Sequence, residues 1–401
     1  MEQEIRIITS KGVKILESPP SYQRKLGLFE LVSLGVGGTI GSGIFVVPGI
    51  AARIAGPSSL IAWVIVAFSA SSVLLSLAYI STHFTKTGSF FSLFESVFGI
   101  RIAVPLMVLY LTSSIFGIAT IASGIGQYMT YFSIGHIIVL ELGILTCFCL
   151  INIIGISLSG MTENILTLIK IIPLVIIALI LLPFVNFANL VPTSPVSAGS
   201  LLSAIIIVYW PFTGFEISAI PVEETKDIRI ISRSLILVMV IVVALYLLLN
   251  ISLIGSVGSA ALAQSPAPIA TASDLVFANS GPLIACIGIV AMLSALNAYI
   301  VGTSRVFQSL AARCSVPVFR NLSPRGTPVA ALAAGCIMSG ILLIFSNRFD
   351  QLAGISVITT LIPYNFFCGT AWALDPIRNH RIVSAAGMVS TSAILLIYFI
   401  V

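Results

Sequence analysis

The first long apolar run of the chain is interrupted by Gly37-Gly38-Thr39-Ile40-Gly41-Ser42-Gly43-Ile44-Phe45. Apolar residues lead up to this stretch from Leu26 and continue past it through Val46, Val47 and Pro48. Each glycine costs a helix interior about 1 kcal/mol relative to alanine, so this cluster marks a place where helix is weak. If the run crosses a bilayer, the break cannot face lipid, because its freed N–H and C=O groups would find no partners in hydrocarbon. It must be buried in protein or line a cavity. The half-helix that restarts beyond it offers unpaired N–H groups and a partial positive charge, which suit an anion. In transporters that arrangement holds a substrate carboxylate near the bilayer midplane.

The membrane premise comes from the rest of the chain. Of its 401 residues, 58% are hydrophobic and only 8% are charged, where a soluble domain carries about 25% charged residues. About eleven apolar runs are long enough to cross about 30 Å of hydrocarbon. They are expected at residues 28–52, 58–80, 103–131, 135–156, 162–182, 200–222, 234–257, 282–306, 327–346, 352–373 and 381–401. Turn residues separate them at Ala55-Gly56-Pro57, Lys86-Thr87-Gly88, positions 192–195, Ser265-Pro266-Ala267-Pro268 and Ser323-Pro324-Arg325-Gly326. The polar stretch 1–25 reads as a tail with no cleavable leader, leaving the first span as the insertion signal.

A net charge of +5 does not point to nucleic acid, because the basic residues sit in short loops rather than on one face. They set topology instead. Loops after even-numbered spans hold Lys86 and Arg101, then Lys226, Arg229 and Arg233, then Arg313, Arg320 and Arg325, then Arg378 and Arg381. With the basic tail, this places the N-terminus in the cytoplasm of a multi-pass cell-membrane protein. The loop between spans 4 and 5 has no basic residue and does not contribute.

Span 6 carries a second break. In Tyr209-Trp210-Pro211-Phe212-Thr213-Gly214-Phe215-Glu216 a proline, a glycine and a carboxylate interrupt the apolar run. Broken spans five apart suit two five-span repeats of opposite direction. The expected division is 26–182 for the first repeat, 200–373 for the second and 381–401 for an additional span 11. The fold class is thus an all-α polytopic membrane protein with broken spans 1 and 6.

Three ionisable residues lie inside apolar runs: Glu141, Lys170 and Glu216. Each costs at least about 2.5 kcal/mol to place in a membrane, which makes function the first hypothesis. Glu216, just past the Gly214 break, is the candidate proton carrier. Lys170 lies about nine residues into span 5. It either snorkels to the interface or acts as a tethered cation, in place of sodium, on carbonyls freed at the span 1 break, and as a buried amine it is a second candidate proton carrier beside Glu216. Glu141, close to His136, reads as structural. Trp210 suits a gate or pocket wall, and Ser42 either helix packing or the site.

No enzyme is expected. His83, His136 and His380 fall in or beside different loops, the serines lack a base, and no phosphate-binding Gly-Lys-Ser/Thr loop is present. The six cysteines are scattered and form no metal or disulfide pattern. No cofactor is implied.

Together these segments resemble the amino acid–polyamine–organocation transporter family, over about Leu26 to Leu374. The similar motifs are Gly41-Ser42-Gly43-Ile44-Phe45 in span 1, Trp210 to Glu216 in span 6, and Glu223-Glu224-Thr225-Lys226-Asp227-Ile228-Arg229 after it. Ser304-Arg305, Ala311-Ala312-Arg313 and Thr327-Pro328-Val329 also look like the family's span 8 to 9 region. The resemblance implies a substrate α-carboxylate at Gly41, Ser42 and Gly43, and an α-amino group at carbonyls of Ile40, Trp210 and Thr213. It assigns proton coupling to Glu216 and the sodium substitute to Lys170. Phe212, Gly214, Ser114, Ile115, Leu293 and Thr360 to Pro363 are the further pocket candidates. Many relatives have about twelve spans, so the oligomeric state stays open. Pro211 after Trp210 also departs from the family pattern.

The expected function is proton-coupled import of neutral amino acids by alternating access. The alternative is an obligatory exchanger of amino acids or polyamines. A membrane sensor without flux is a third class. The expected partners are an amino acid, protons and the lipid bilayer.

Overall fold

The computed structural model describes residues 5–9, 12–16, 26–83, 89–154, 160–192, 197–219, 222, 225–323 and 326–400. Most of the tail, Lys86 to Gly88, positions 193–195, Glu223, Glu224, Pro324 and Arg325 lie outside the described residues. A short antiparallel hairpin, β1 (Ile5–Thr9) with β2 (Gly12–Leu16), precedes the helices.

Each of the eleven apolar runs contains helix among the described residues, the first run two helices. Span 1 is α1 (Leu28–Thr39) and α2 (Ser42–Ala55), and span 2 is α3 (Ser59–Ile80). A short α4 (Ser89–Phe98) leads into α5 (Ile100–Thr130), followed by α6 (Ile137–Ile154) and α7 (Gly160–Leu181). Span 6 begins as α8 (Ala198–Tyr209), and span 7 is α9 (Arg229–Gln264), kinked at Gly258. Then come α10 (Pro268–Val276), α11 (Gly281–Arg313), α12 (Pro317–Arg320), α13 (Val329–Phe345), α14 (Phe349–Leu374) and α15 (Arg378–Ile400).

Nine described segments are long and apolar enough to cross a membrane; the first, Leu28–His83, contains both α1–α2 and α3. At 17 residues, α13 is apolar but shorter than these nine segments. The helices outrun the apolar runs at several ends. For example, α11 continues to Arg313 and α9 starts at Arg229, because helix persists where side chains have already turned polar. The short helices α4 and α10 sit in stretches that hydropathy reads only as connectors.

The buried centre is the first span. Every residue from Gly35 to Ala52 is buried, with α9 packed along α1 and α2, and α7 along α1. Around this centre α5 packs on α11 and α14, while α3 packs on α9, α14 and α15. Outer faces carry exposed Ile337, Phe345, Leu396 and Phe399. Such large apolar side chains suit a lipid surround rather than water.

Candidate functional site

The first break is narrow. Helix α1 runs through Gly37 and Gly38 and closes with the Ile40 N–H on the Val36 carbonyl at 2.8 Å. Only Ile40 and Gly41 are non-helical before α2 starts at Ser42. A helix end leaves its last carbonyls unpaired, and here they are taken by side chains from other spans. Lys170 Nζ of α7 donates to the Gly37 carbonyl at 2.9 Å, and the Tyr246 hydroxyl of α9 donates to that of Thr39 at 3.1 Å. Lys170 is 1% exposed. Its Nζ is thus directed to the break and not to the protein surface. One turn earlier, Thr167 Oγ1 donates to the Ser33 carbonyl at 3.0 Å.

On the other side of the break no side chain caps the N-terminus of α2. Its first-turn N–H groups are the donors an anion would use. The first turn lies against span 6. A Cβ at Gly43 would stand 2.5 Å from Pro211 Cα, so only glycine fits there. Trp210 Nε1 donates to Ser42 Oγ at 3.3 Å.

The second break is wide. After α8 the chain forms a 3-10 turn over Trp210–Phe212, an extended Thr213, Gly214, and a 3-10 turn over Phe215–Ala219. Gly214 has φ +92°, open to glycine and strained for other residues. Its backbone abuts that of Gly38, with the Gly38 carbonyl oxygen 2.9 Å from where a Cβ would sit. Thr213 Oγ1 donates to the Trp210 carbonyl at 2.8 Å and lies 3.4 Å from the Tyr299 hydroxyl of α11.

Glu216 faces neither water nor a cation. It is 4% exposed, with the Tyr110 hydroxyl of α5 donating to Oε1 at 2.7 Å and the Tyr364 hydroxyl of α14 donating to Oε2 at 2.6 Å. The same two helices are joined by hydroxyls of Ser113, Ser356 and Thr360; Ser356 Oγ also donates to the Ser113 carbonyl at 2.8 Å. A small cavity adjoins this acid, lined among others by Ser114, Thr213, Glu216, Tyr299 and Thr360. Its polar lining is mostly hydroxyl, and Glu216 is its one ionisable carboxyl.

The expected residues therefore divide. Ile40, Gly41, Ser42, Gly43, Trp210, Thr213 and Gly214 converge where the breaks meet, while Ser114 and Thr360 join Glu216 at the cavity. Phe212 turns the other way, stacking against Trp63 and Tyr246 with ring centroids 5.9 and 5.2 Å away. On α11 the residue at the cavity is Tyr299, while Leu293 is half-buried against the apolar core. Ile115 is buried, and its carbonyl accepts from Ser339 Oγ at 2.9 Å. Tyr110, Tyr246, Tyr299 and Tyr364 are the contributors that sequence reading missed. A tyrosine in an apolar run looks like core, and only the carboxyl or carbonyl opposite it reveals another task.

Residues 26–401 match the amino acid permease family. Among known proteins, the serine/threonine exchanger SteT of Bacillus subtilis is 26% identical over 367 residues, 85% of this chain and 81% of its own length. The branched-chain amino acid permease BcaP of Bacillus subtilis is 24% identical over 369 residues, 85% of this chain and 79% of its own. The L-methionine/branched-chain amino acid exporter YjeH of Escherichia coli is 28% identical over 340 residues, 82% of this chain and 80% of its own.

Proposed function

We propose, from the premise that this chain belongs to the amino acid permease family, that it imports neutral amino acids together with protons by alternating access. The observation that carries this reading is Glu216, a buried carboxyl clamped by two phenols on the wall of a cavity that reaches Thr213 in the second break. A group so placed can gain or lose a proton in step with what occupies the cavity, so proton and substrate bias one equilibrium.

The substrate carboxylate takes the N–H groups and hydroxyl around Ser42 and Gly43, beside Gly41, whose own N–H already donates to the Thr39 carbonyl at 3.0 Å, and the amino group takes carbonyls of Ile40, Trp210 and Thr213. The side chain enters the hydroxyl-lined space beside Ser114, Tyr299 and Thr360. That lining offers a charged side chain no opposite charge apart from Glu216, which is already engaged, so neutral amino acids are favoured. The similar proteins SteT, BcaP and YjeH are likewise named for neutral amino acids. Lys170 supplies the fixed positive charge at the first break in place of a bound cation. Two inverted repeats, 26–182 and 200–373, would place the two breaks at corresponding positions, with the N-terminus in the cytoplasm.

A second reading is obligatory exchange, favoured by the similarity to an exchanger. The deciding experiment is uptake of radiolabelled neutral amino acids into proteoliposomes, with and without an inward proton gradient. Symport gives gradient-stimulated accumulation that Glu216→Gln abolishes. Uptake that ignores the gradient and requires internal amino acid establishes exchange instead. Competition led by arginine or glutamate overturns the neutral-substrate assignment.

A further inference from the structure

Glu141 stands one turn into α6 and is 1% exposed, and neither of its carboxylate oxygens makes a hydrogen bond of ordinary geometry among the described residues, the Asn347 amide being the one side-chain donor at hand. Its Oε1 packs directly on the α5 backbone at Gly126, where no Cβ could fit. Beside it is the exposed side chain of Asn347, in the connection between α13 and α14. The hydroxyl of Ser123 is also near, but it donates to the Asn347 carbonyl at 3.2 Å rather than to the acid.

The charged and titratable groups of the surrounding elements are committed elsewhere or distant. On α5, the Tyr128 hydroxyl donates to the Phe45 carbonyl at 2.8 Å, Tyr131 beyond its end lies against Asp274 and Gly281, and Arg101 and Tyr110 lie further back along the helix. Helix α13 has no charged residue, and its Cys336 lies beside Cys149 of α6, two turns beyond Glu141. Cys286 on α11 is exposed, Tyr299 is at the cavity, and Arg305 and Arg313 are at the far end. His136 is exposed at the start of α6, and Arg348 pairs with Asp350 at 2.9 Å.

An ionised carboxylate buried without a donor or cation costs several kcal/mol. A proton on the carboxyl removes that cost without any further ligand. We propose that Glu141 is a second proton-binding site, reached past Asn347 from the end of the bundle where the α5–α6 and α13–α14 connections meet. It differs in kind from Glu216, whose oxygens are both satisfied by phenols. Its neighbours are Gly126 of α5 and Asn347 of the α13–α14 connection.

The test uses the full-length protein in lipid nanodiscs and does not depend on which substrate is carried or on coupled transport. Infrared difference spectra across pH should show a protonated-carboxyl band that disappears in Glu141→Gln and persists in Glu216→Gln. Asn347→Asp changes an exposed position and places a second negative charge beside the site. It should move the midpoint of that band to higher pH by about one unit. A carboxyl band unchanged in Glu141→Gln overturns the proposal. If Glu141→Gln does not fold, an unmoved midpoint in Asn347→Asp overturns it alone.

Discussion

The two broken spans meet the same difficulty, backbone freed inside a membrane protein, in opposite ways. In span 1 the interruption is two residues long and its freed carbonyls are satisfied from outside, by Lys170 and Tyr246. In span 6 it extends over ten residues, from Trp210 to Ala219, and relies partly on its own side chain, Thr213 on the Trp210 carbonyl. The first break presents bare backbone; the second presents an acid. In the function proposed above, the former would hold an amino acid's two charged ends and the latter would respond to protons. The contrast teaches that a short break with external partners keeps its peptide groups fixed, whereas a long one can present a side chain such as Glu216 from irregular backbone.

Substitutions can break this comparison. The largest effect is expected from Gly43→Ala, which drives a methyl into the Pro211 backbone. Overpacking of that kind costs about 1–3 kcal/mol, and the upper end is expected because backbone, not a flexible side chain, must yield. Thermal unfolding in detergent checks the loss; a melting temperature equal to wild type would show that the contact is not tight. Next comes Lys170→Met. It leaves the Gly37 carbonyl without its charged donor, a loss of about 1–3 kcal/mol partly offset by no longer burying a charge. Uptake should fall while the folded protein survives, and full uptake would remove Lys170 from the first break's function. The smallest effects belong to Tyr110→Phe and Tyr364→Phe, at about 1 kcal/mol each. Each removes a donor to the Glu216 carboxylate, so the protonated form gains and the pH profile of uptake shifts to higher pH. Equal profiles in wild type and the double variant would separate the clamp from coupling.

Much of this was legible because the bilayer demands it. Length and hydropathy locate the spans, and glycine or proline with a carboxylate inside an apolar run locates the breaks. Lys170 was ambiguous, since a lysine at that depth can reach water or backbone; only the placement of α7 against α1 decides between them. The first break lies at Ile40–Gly41, not across all four glycines, since Gly37 and Gly38 remain helical and Gly38 packs closely against span 6. Phe212 illustrates the opposite difficulty. Adjacency to a break suggests the site, but a 3-10 turn rotates neighbouring side chains to different faces, and this one joins Trp63 and Tyr246. The tyrosines around Glu216 come from helices more than a hundred residues away in sequence. No local pattern encodes that meeting.

The close seating of Gly43 on Pro211 and of Gly38 on Gly214 has a mechanical consequence. Two gears with no backlash between their teeth cannot be turned separately, and these two strips of backbone leave no slack for a side chain to take up. A shift at either break therefore meets the backbone of the other with no side chain between them to absorb it.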